Sequence, residues 1–101
     1  MKLLITSTAE LDLEEIEARI SSDNPAAADR FLELLSQRFE LIAGMPGIGR
    51  RRDSYAPGVR SIAEGDYVIV YRVKNNSLEI LRILHGARDP ERVIRENPIE
   101  E

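Results

Sequence analysis

Arg82 and His85 are the side chains of this sequence best suited to chemistry. Both belong to the run Leu78-Glu-Ile-Leu-Arg-Ile-Leu-His85, which Gly86 follows. A guanidinium stays protonated near neutral pH, so Arg82 can bind a carboxylate or phosphate but cannot accept a proton. His85 is the only histidine of the chain. Its ordinary titration range makes it a candidate general acid or base, a role that a carboxylate or a perturbed tyrosine could also fill, the alternative for the ring being a histidine that bonds backbone at a strand end. Arg60, Arg72 and Arg88 add cations to the same half of the chain, and Tyr71 is either a stacking partner for Arg82 or a packing residue beside a groove. Arg50-Arg51-Arg52 is a basic loop without interleaved aromatics, a weak mark of nucleic-acid binding. With one histidine and no cysteine, no metal site and no cofactor are expected.

These residues need a scaffold, and the hydrophobic periodicity supplies one. Leu3 to Thr6 reads as a first strand, and Ser7-x-x-Glu10 as a capping box that opens a helix. Ala9, Leu13, Ile16 and Ile20 form its apolar stripe, with Glu10, Asp12, Glu14, Glu15 and Glu17 turned to water. Asn24-Pro25 caps a second helix whose stripe contains Ala27, Ala28, Phe31, Leu34, Leu35, Phe39 and Ile42, ended by Gly44 and Pro46. The two helices form an antiparallel hairpin. Residues 45–58 read as loop.

Three strands follow, Val59 to Glu64, Tyr67 to Lys74 and Leu78 to His85, joined by turns at Gly65-Asp66 and Asn75-Asn76. A two-residue Asn75-Asn76 turn sets Tyr71 opposite Ile80, Ile69 opposite Arg82, and Arg72 opposite Glu79 as an ion pair. In that register Val68, Val70, Leu81 and Ile83 face the helices, with Tyr67, Tyr71 and Arg82 on an open face. Asp89-Pro90 starts a short last helix to about Glu96. The expected fold is α+β: an N-terminal strand and helical hairpin packed on a small, mainly antiparallel sheet, in the order β-α-α-β-β-β plus a C-terminal helix. The expected domain is residues 1–96, with 97–101 a frayed acidic tail.

The 101 residues suit one domain, and no apolar run approaches the roughly 20 residues that span a bilayer. The N-terminal apolar run is too short, and too directly followed by acidic helix, to be expected to act as a signal peptide. Absence of cysteine fits a reducing, cytoplasmic location. The net charge of −4 is unevenly spread: residues 1–49 hold four Lys/Arg against nine Asp/Glu, residues 50–95 ten against six, and residues 96–101 three Glu with no Lys or Arg. The basic surface therefore lies in the second half, whereas the acidic total argues against direct nucleic-acid binding.

The order of elements, together with Asp23-Asn-Pro-Ala-Ala-Ala-Asp-Arg-Phe31, Met45-Pro-Gly-Ile-Gly-Arg50, Tyr67-Val-Ile-Val-Tyr-Arg-Val73 and Ile80-Leu-Arg-Ile-Leu-His-Gly-Ala-Arg-Asp89, resembles the RelE/ParE toxin superfamily, most closely its ParE branch. The resemblance extends from about Leu3 to Ile94. It implies the toxin of a bacterial type II toxin-antitoxin pair, bound by a cognate antitoxin. For ParE-like members it implies inhibition of DNA gyrase with no hydrolytic site, and for RelE-like members cleavage of messenger RNA on the ribosome. On the RelE-like alternative Arg60, Arg82 and His85 would be catalytic. Such cleavage needs a base for the 2′-hydroxyl, an acid for the leaving oxygen and cations for the phosphorane. The arginines supply only the cations, and no tyrosine follows the last strand. The expectation is thus a gyrase-directed toxin whose antitoxin- or target-binding residues are Arg60, Tyr71, Arg82, His85 and Arg88. A third alternative is a non-toxic interaction module of the same fold.

Overall fold

The structure, a computed structural model, describes residues 1–100. Strand β1 (Lys2–Ile5) leads into helices α1 (Ser7–Asp23) and α2 (Pro25–Gly44). A 3-10 turn (Pro46–Ile48) precedes strands β2 (Arg50–Arg51), β3 (Arg60–Glu64), β4 (Tyr67–Lys74) and β5 (Ser77–His85). A second 3-10 turn (Gly86–Arg88) then leads to helix α3 (Pro90–Glu96). The five strands form one sheet in the order β1-β5-β4-β3-β2, with β1 parallel to β5 and the other pairs antiparallel. This is the α+β arrangement read from the sequence. It also places the first strand, whose edge the sequence left open, beside β5.

The helix boundaries follow from local capping. Asn24 accepts from the Ala27 amide at 3.2 Å while its own N–H donates to the Ile20 carbonyl, so one residue ends α1 and starts α2 with Pro25 in the first turn. At the start of α1 the cap is Thr6, one residue before the expected Ser7. Thr6 is extended (φ −66°, ψ 158°), and its Oγ1 accepts from Ala9 N at 3.2 Å. The same hydroxyl contacts the Ile80 and Leu81 carbonyls at 3.0 and 3.2 Å. A threonine here both caps the helix and ties it to the neighbouring strand. A serine one position later lacks that tie.

Asn75 and Asn76 both adopt positive φ, 52° and 59°, which matches the tight hairpin turn between β4 and β5. Tyr71 pairs with Ile80 and Arg72 with Glu79, as expected. Beyond that point the register changes: Val70 pairs with Arg82 and Ile69 with Ile83, with an irregularity between Val70 and Tyr71 that leaves Leu81 as the extra residue of β5. The expected pairing of Ile69 with Arg82 is therefore wrong by one residue. Period-two reading cannot register an inserted residue.

The faces also differ from expectation. Ile69, Tyr71, Leu78, Ile80 and Ile83 pack with Ala9, Ile16, Leu35, Phe39 and Ile42 of the hairpin, and Tyr67 joins them. Val70, Leu81 and Leu84 pack on the other face with Ala56, Val59 and Ile94, flanked by Val68 and Ile99. Of the residues assigned to the helix face only Ile83 lies there, and the supposedly open face is covered by the loop before β3 and by α3. Both faces of β4 and β5 are largely buried, so apolar residues stand on both faces of each strand and alternation alone cannot name the faces. Strand β2 lies inside the region read as loop, because Arg50-Arg51 has no apolar pattern to announce a strand. The segment after α3 is held too: Ile99 is half-buried against the second cluster, and Arg72 Nη2 donates to the Glu100 carbonyl at 2.7 Å. Glu101, part of the expected frayed tail, lies outside the described residues.

Candidate functional site

β1 pairs with β5 only as far as Ile80, so the edge of β5 from Leu81 onward lacks a strand neighbour. Thr6 and Asp12 take that place. Asp12 Oδ2 accepts from the Ile83 amide at 2.9 Å, replacing the missing strand partner. The same carboxylate receives Arg82 in a two-pronged contact, Nε to Oδ2 at 2.8 Å and Nη2 to Oδ1 at 3.0 Å. Both side chains are nearly buried, at 11% and 8% exposure. Arg82 is therefore not a free cation on an open face. Its acceptor is a side chain of its own chain, and the Leu81 irregularity turns it toward the strand edge where α1 passes.

Asp12 is the site residue that sequence reasoning missed, having been assigned to water. The signal was present: Asp12 stands three residues after Ala9 and four before Ile16, both buried, so it falls on the inward stripe of α1.

Arg60 and Tyr71 are tied to the loop before β2. Arg60 Nη1 donates to the Gly49 carbonyl at 2.9 Å and, at 3.4 Å, to that of Gly47. Tyr71 is fully buried, not on an open face. Its hydroxyl accepts from Gly49 N at 2.8 Å and donates to the Pro46 carbonyl at 2.7 Å. Burial raises the Tyr71 pKa above its ordinary value, against the opposing pull of the Gly49 N–H and the Arg60 guanidinium. The neutral phenol is the form that donates to Pro46. Gly49 permits this contact, since a Cβ there would lie 2.9 Å from the Ser61 carbonyl oxygen and within the Tyr71 ring's envelope. Tyr71 and Arg60 thus fasten one loop together, away from the Arg82–Asp12 pair.

His85 ends β5, where its Nδ1 accepts from Ala87 N at 3.1 Å and its ring stands edge-on to Tyr67 with centroids 5.1 Å apart. Tyr67 in turn contacts Phe31 at 5.0 Å. Because Nδ1 accepts, the neutral ring carries its proton on Nε2. This is the strand-end arrangement in which histidine bonds backbone. Arg88 is exposed and forms no ion pair among the described residues.

On the second face of the sheet a groove of about 800 Å³ runs between the start of α1 and α3. Arg72, Lys74, Leu81, Arg82 and Arg88 line it together with the segment after α3. Arg72 is oriented by Glu79, Nε to Oε1 at 2.8 Å, the ion pair expected from the hairpin register. A separate surface is apolar: Leu34 and Leu41 lie exposed seven residues apart on α2, with Met45 at its C-cap and Ile48 just beyond. Among the described residues no group of three or more His, Cys, Asp or Glu side chains could hold a metal ion, and no helix is long and apolar enough to cross a membrane.

The fold and these residues can be set beside known proteins. The chain is similar to a toxin named ParE1 of Mycobacterium tuberculosis, 29% identical over 93 residues that cover 90% of this chain and 95% of the relative. It is 32% identical to Toxin RelE3 of Caulobacter vibrioides over 79 residues, 77% of this chain and 86% of that one. A solved structure of a chromosomal ParDE toxin-antitoxin system from P. aeruginosa superposes with a TM-score of 0.70 at 26% identity, covering 84% of this chain and 95% of its own. The family described as ParE toxin of the type II toxin-antitoxin system parDE matches residues 3–90, which contain the hairpin, all of the sheet except Lys2, and the Asp12–Arg82 pair. The chain belongs to the ParE toxin family of type II toxin-antitoxin systems.

Proposed function

We propose that this protein is a toxin that acts by binding, with DNA gyrase as its target, and that a cognate antitoxin neutralises it. The observation that carries the non-hydrolytic reading is the engagement of the arginines. Arg82 is bidentate on Asp12 and nearly buried, so its charge is matched within the chain, and Arg60 gives its Nη1 to the Gly49 and Gly47 carbonyls. His85 has its Nδ1 committed to Ala87 N, and among the described residues no hydrogen bond or ion pair joins it to a second acid or base. Membership of the ParE toxin family supports the same reading.

Antitoxin binding is supported by two surfaces that suit a partly disordered partner. The Leu34, Leu41 and Met45 stripe fits the apolar face of an amphipathic helix. The exposed Arg88, with His85 close by at the end of β5, offers charge to acidic side chains at the opposite end of such a segment. Arg60, Tyr71 and Arg82 serve this function indirectly, by holding the loop and the sheet edge in shape. Co-expression with the product of the adjacent small gene tests the pairing. A complex that survives purification is expected, and separate elution of the two folded proteins would contradict it.

A further inference from the structure

We infer that the outer edge of strand β1 is an interface for a second copy of this chain, the two β1 strands pairing antiparallel about a two-fold axis at Leu4. Strand β1 ends the sheet on one side and pairs only with β5. The Thr6 N–H donates to the Ile80 carbonyl at 3.1 Å, so by alternation along the strand the backbone groups of Lys2 and Leu4 also address β5, and those of Leu3 and Ile5 point outward. Among the described residues these outward groups have no partner. Leu3 and Leu4, both large and aliphatic, lie exposed on opposite faces of the sheet. The strand has none of the usual protections of a sheet edge: no proline, no bulge, and only Lys2 as a charge. The opposite edge is guarded. Strand β2 has two residues, both exposed arginines.

Self-complementarity selects a second copy as the occupant. With the axis at Leu4, Leu3 of each copy lies opposite Ile5 of the other and exchanges both N–H···O bonds with it, so every outward backbone group of the two residues is satisfied. Leu4 meets Leu4 at the axis as a non-hydrogen-bonded pair, the closer kind, and Lys2 lies opposite Thr6, so no like charges meet. The apolar surface gains continuity as well. On the helix face Leu3 is level with Leu78 of β5 and the exposed Val73 of β4, and this row continues into Ile5, Ile80 and Tyr71 of the second copy. Helix α1 leaves β1 at Thr6 and follows β5 toward its end, where Asp12 meets Ile83, so it runs on past the end of β1 rather than over its edge. Two five-stranded sheets thus join into one. The contact is short, with four strand residues from each copy, which places the association among the weak, transient ones.

The test uses the purified full-length chain without antitoxin, followed by sedimentation velocity and amide NMR over the micromolar-to-millimolar range. A monomer–dimer equilibrium is expected, in which the Leu3 and Ile5 amides shift and gain protection from hydrogen exchange as dimer forms. The Leu4 amide, already bonded within the sheet, should stay protected at every concentration. Leu4→Lys sets two ammonium groups against each other at the axis and is expected to weaken the dimer about tenfold with circular dichroism unchanged. A mixture of Leu4→Lys and Leu4→Glu chains should restore it, because opposite charges then meet at the axis. Leu41→Lys, on the exposed face of α2, is the control and should leave the dimer intact. A chain that stays monomeric at millimolar concentration, a dimer that resists Leu4→Lys or is lost through Leu41→Lys, or a mixture that fails to associate would each overturn the interface. Protection of Leu3 and Ile5 that arises only when antitoxin is added would assign the edge to that partner and refute the second copy.

Discussion

Asp12 meets Arg82 across 70 residues of sequence, and the pair joins the first helix to the last strand where the parallel strand β1 has run out. Removing one member of a nearly buried ion pair leaves the other charge without compensation and costs about 3–5 kcal/mol. Asp12→Ala also strips the Ile83 amide of its acceptor. Its urea-unfolding stability is expected to fall by about that amount, and Asp12→Leu combined with Arg82→Leu to recover part of the loss. At His85 the expectation is the reverse. His85→Ala leaves growth arrest on induction within about twofold of the natural toxin, because the ring bonds backbone and packs edge-on to Tyr67, and among the described residues it hydrogen-bonds to no acid or base. Loss of arrest from a folded His85→Ala protein, with new messenger RNA cuts by the natural toxin, would favour ribonuclease action. The sequence made Arg82 conspicuous as a charge in an apolar run but concealed its partner, because the acidic residues around Asp12 disguised an inward position as one more solvated carboxylate.

Elements were more legible than the contacts between them. Asn24-Pro25, Asn75-Asn76 and Asp89-Pro90 each mark a boundary through local stereochemistry, and the structure has a helix or hairpin junction at each. The sheet faces were not legible, since β4 and β5 are covered on both sides and the extra residue at Leu81 shifts the pairing without changing residue type. Tyr71 shows the consequence. Placed on the buried face, it becomes the anchor of the Pro46–Gly49 loop. Tyr71→Phe loses both hydroxyl contacts and is expected to cost about 1–3 kcal/mol near neutral pH. The pH dependence has a definite sign. Burial raises the folded-state pKa above 10.0, so near that pH the unfolded chain releases the phenolic proton while the folded chain retains it. The stabilisation from Tyr71 is complete below about pH 10 and is lost as pH rises toward the folded pKa. Urea unfolding as a function of pH should therefore show a constant gap between natural and Tyr71→Phe proteins from roughly pH 7 to 9 that narrows above about pH 10. Gly49→Ala tests the same loop from the other side. Its methyl would crowd the Ser61 carbonyl and the Tyr71 ring, for an expected loss of about 1–3 kcal/mol.

At the scale of the whole molecule, an acidic first half and a basic sheet half are folded into one α+β unit whose cations are largely committed to internal partners. That distribution suits a protein whose action is binding, with α2 presenting apolar side chains and the end of β5 presenting charge. Family membership and the order of elements were readable from the chain's motifs, since the turn and cap residues that carry them are local. The surfaces that meet partners were not, because exposure of Leu34, Leu41 and Met45 depends on which helix stripe the sheet covers. The central claim is action on gyrase without hydrolysis, and a supercoiling assay tests it most directly. Purified toxin, added to gyrase, ATP and relaxed plasmid, is expected to abolish supercoiling in a dose-dependent way, with equimolar antitoxin restoring it. Full supercoiling at a large excess of folded toxin would contradict the account.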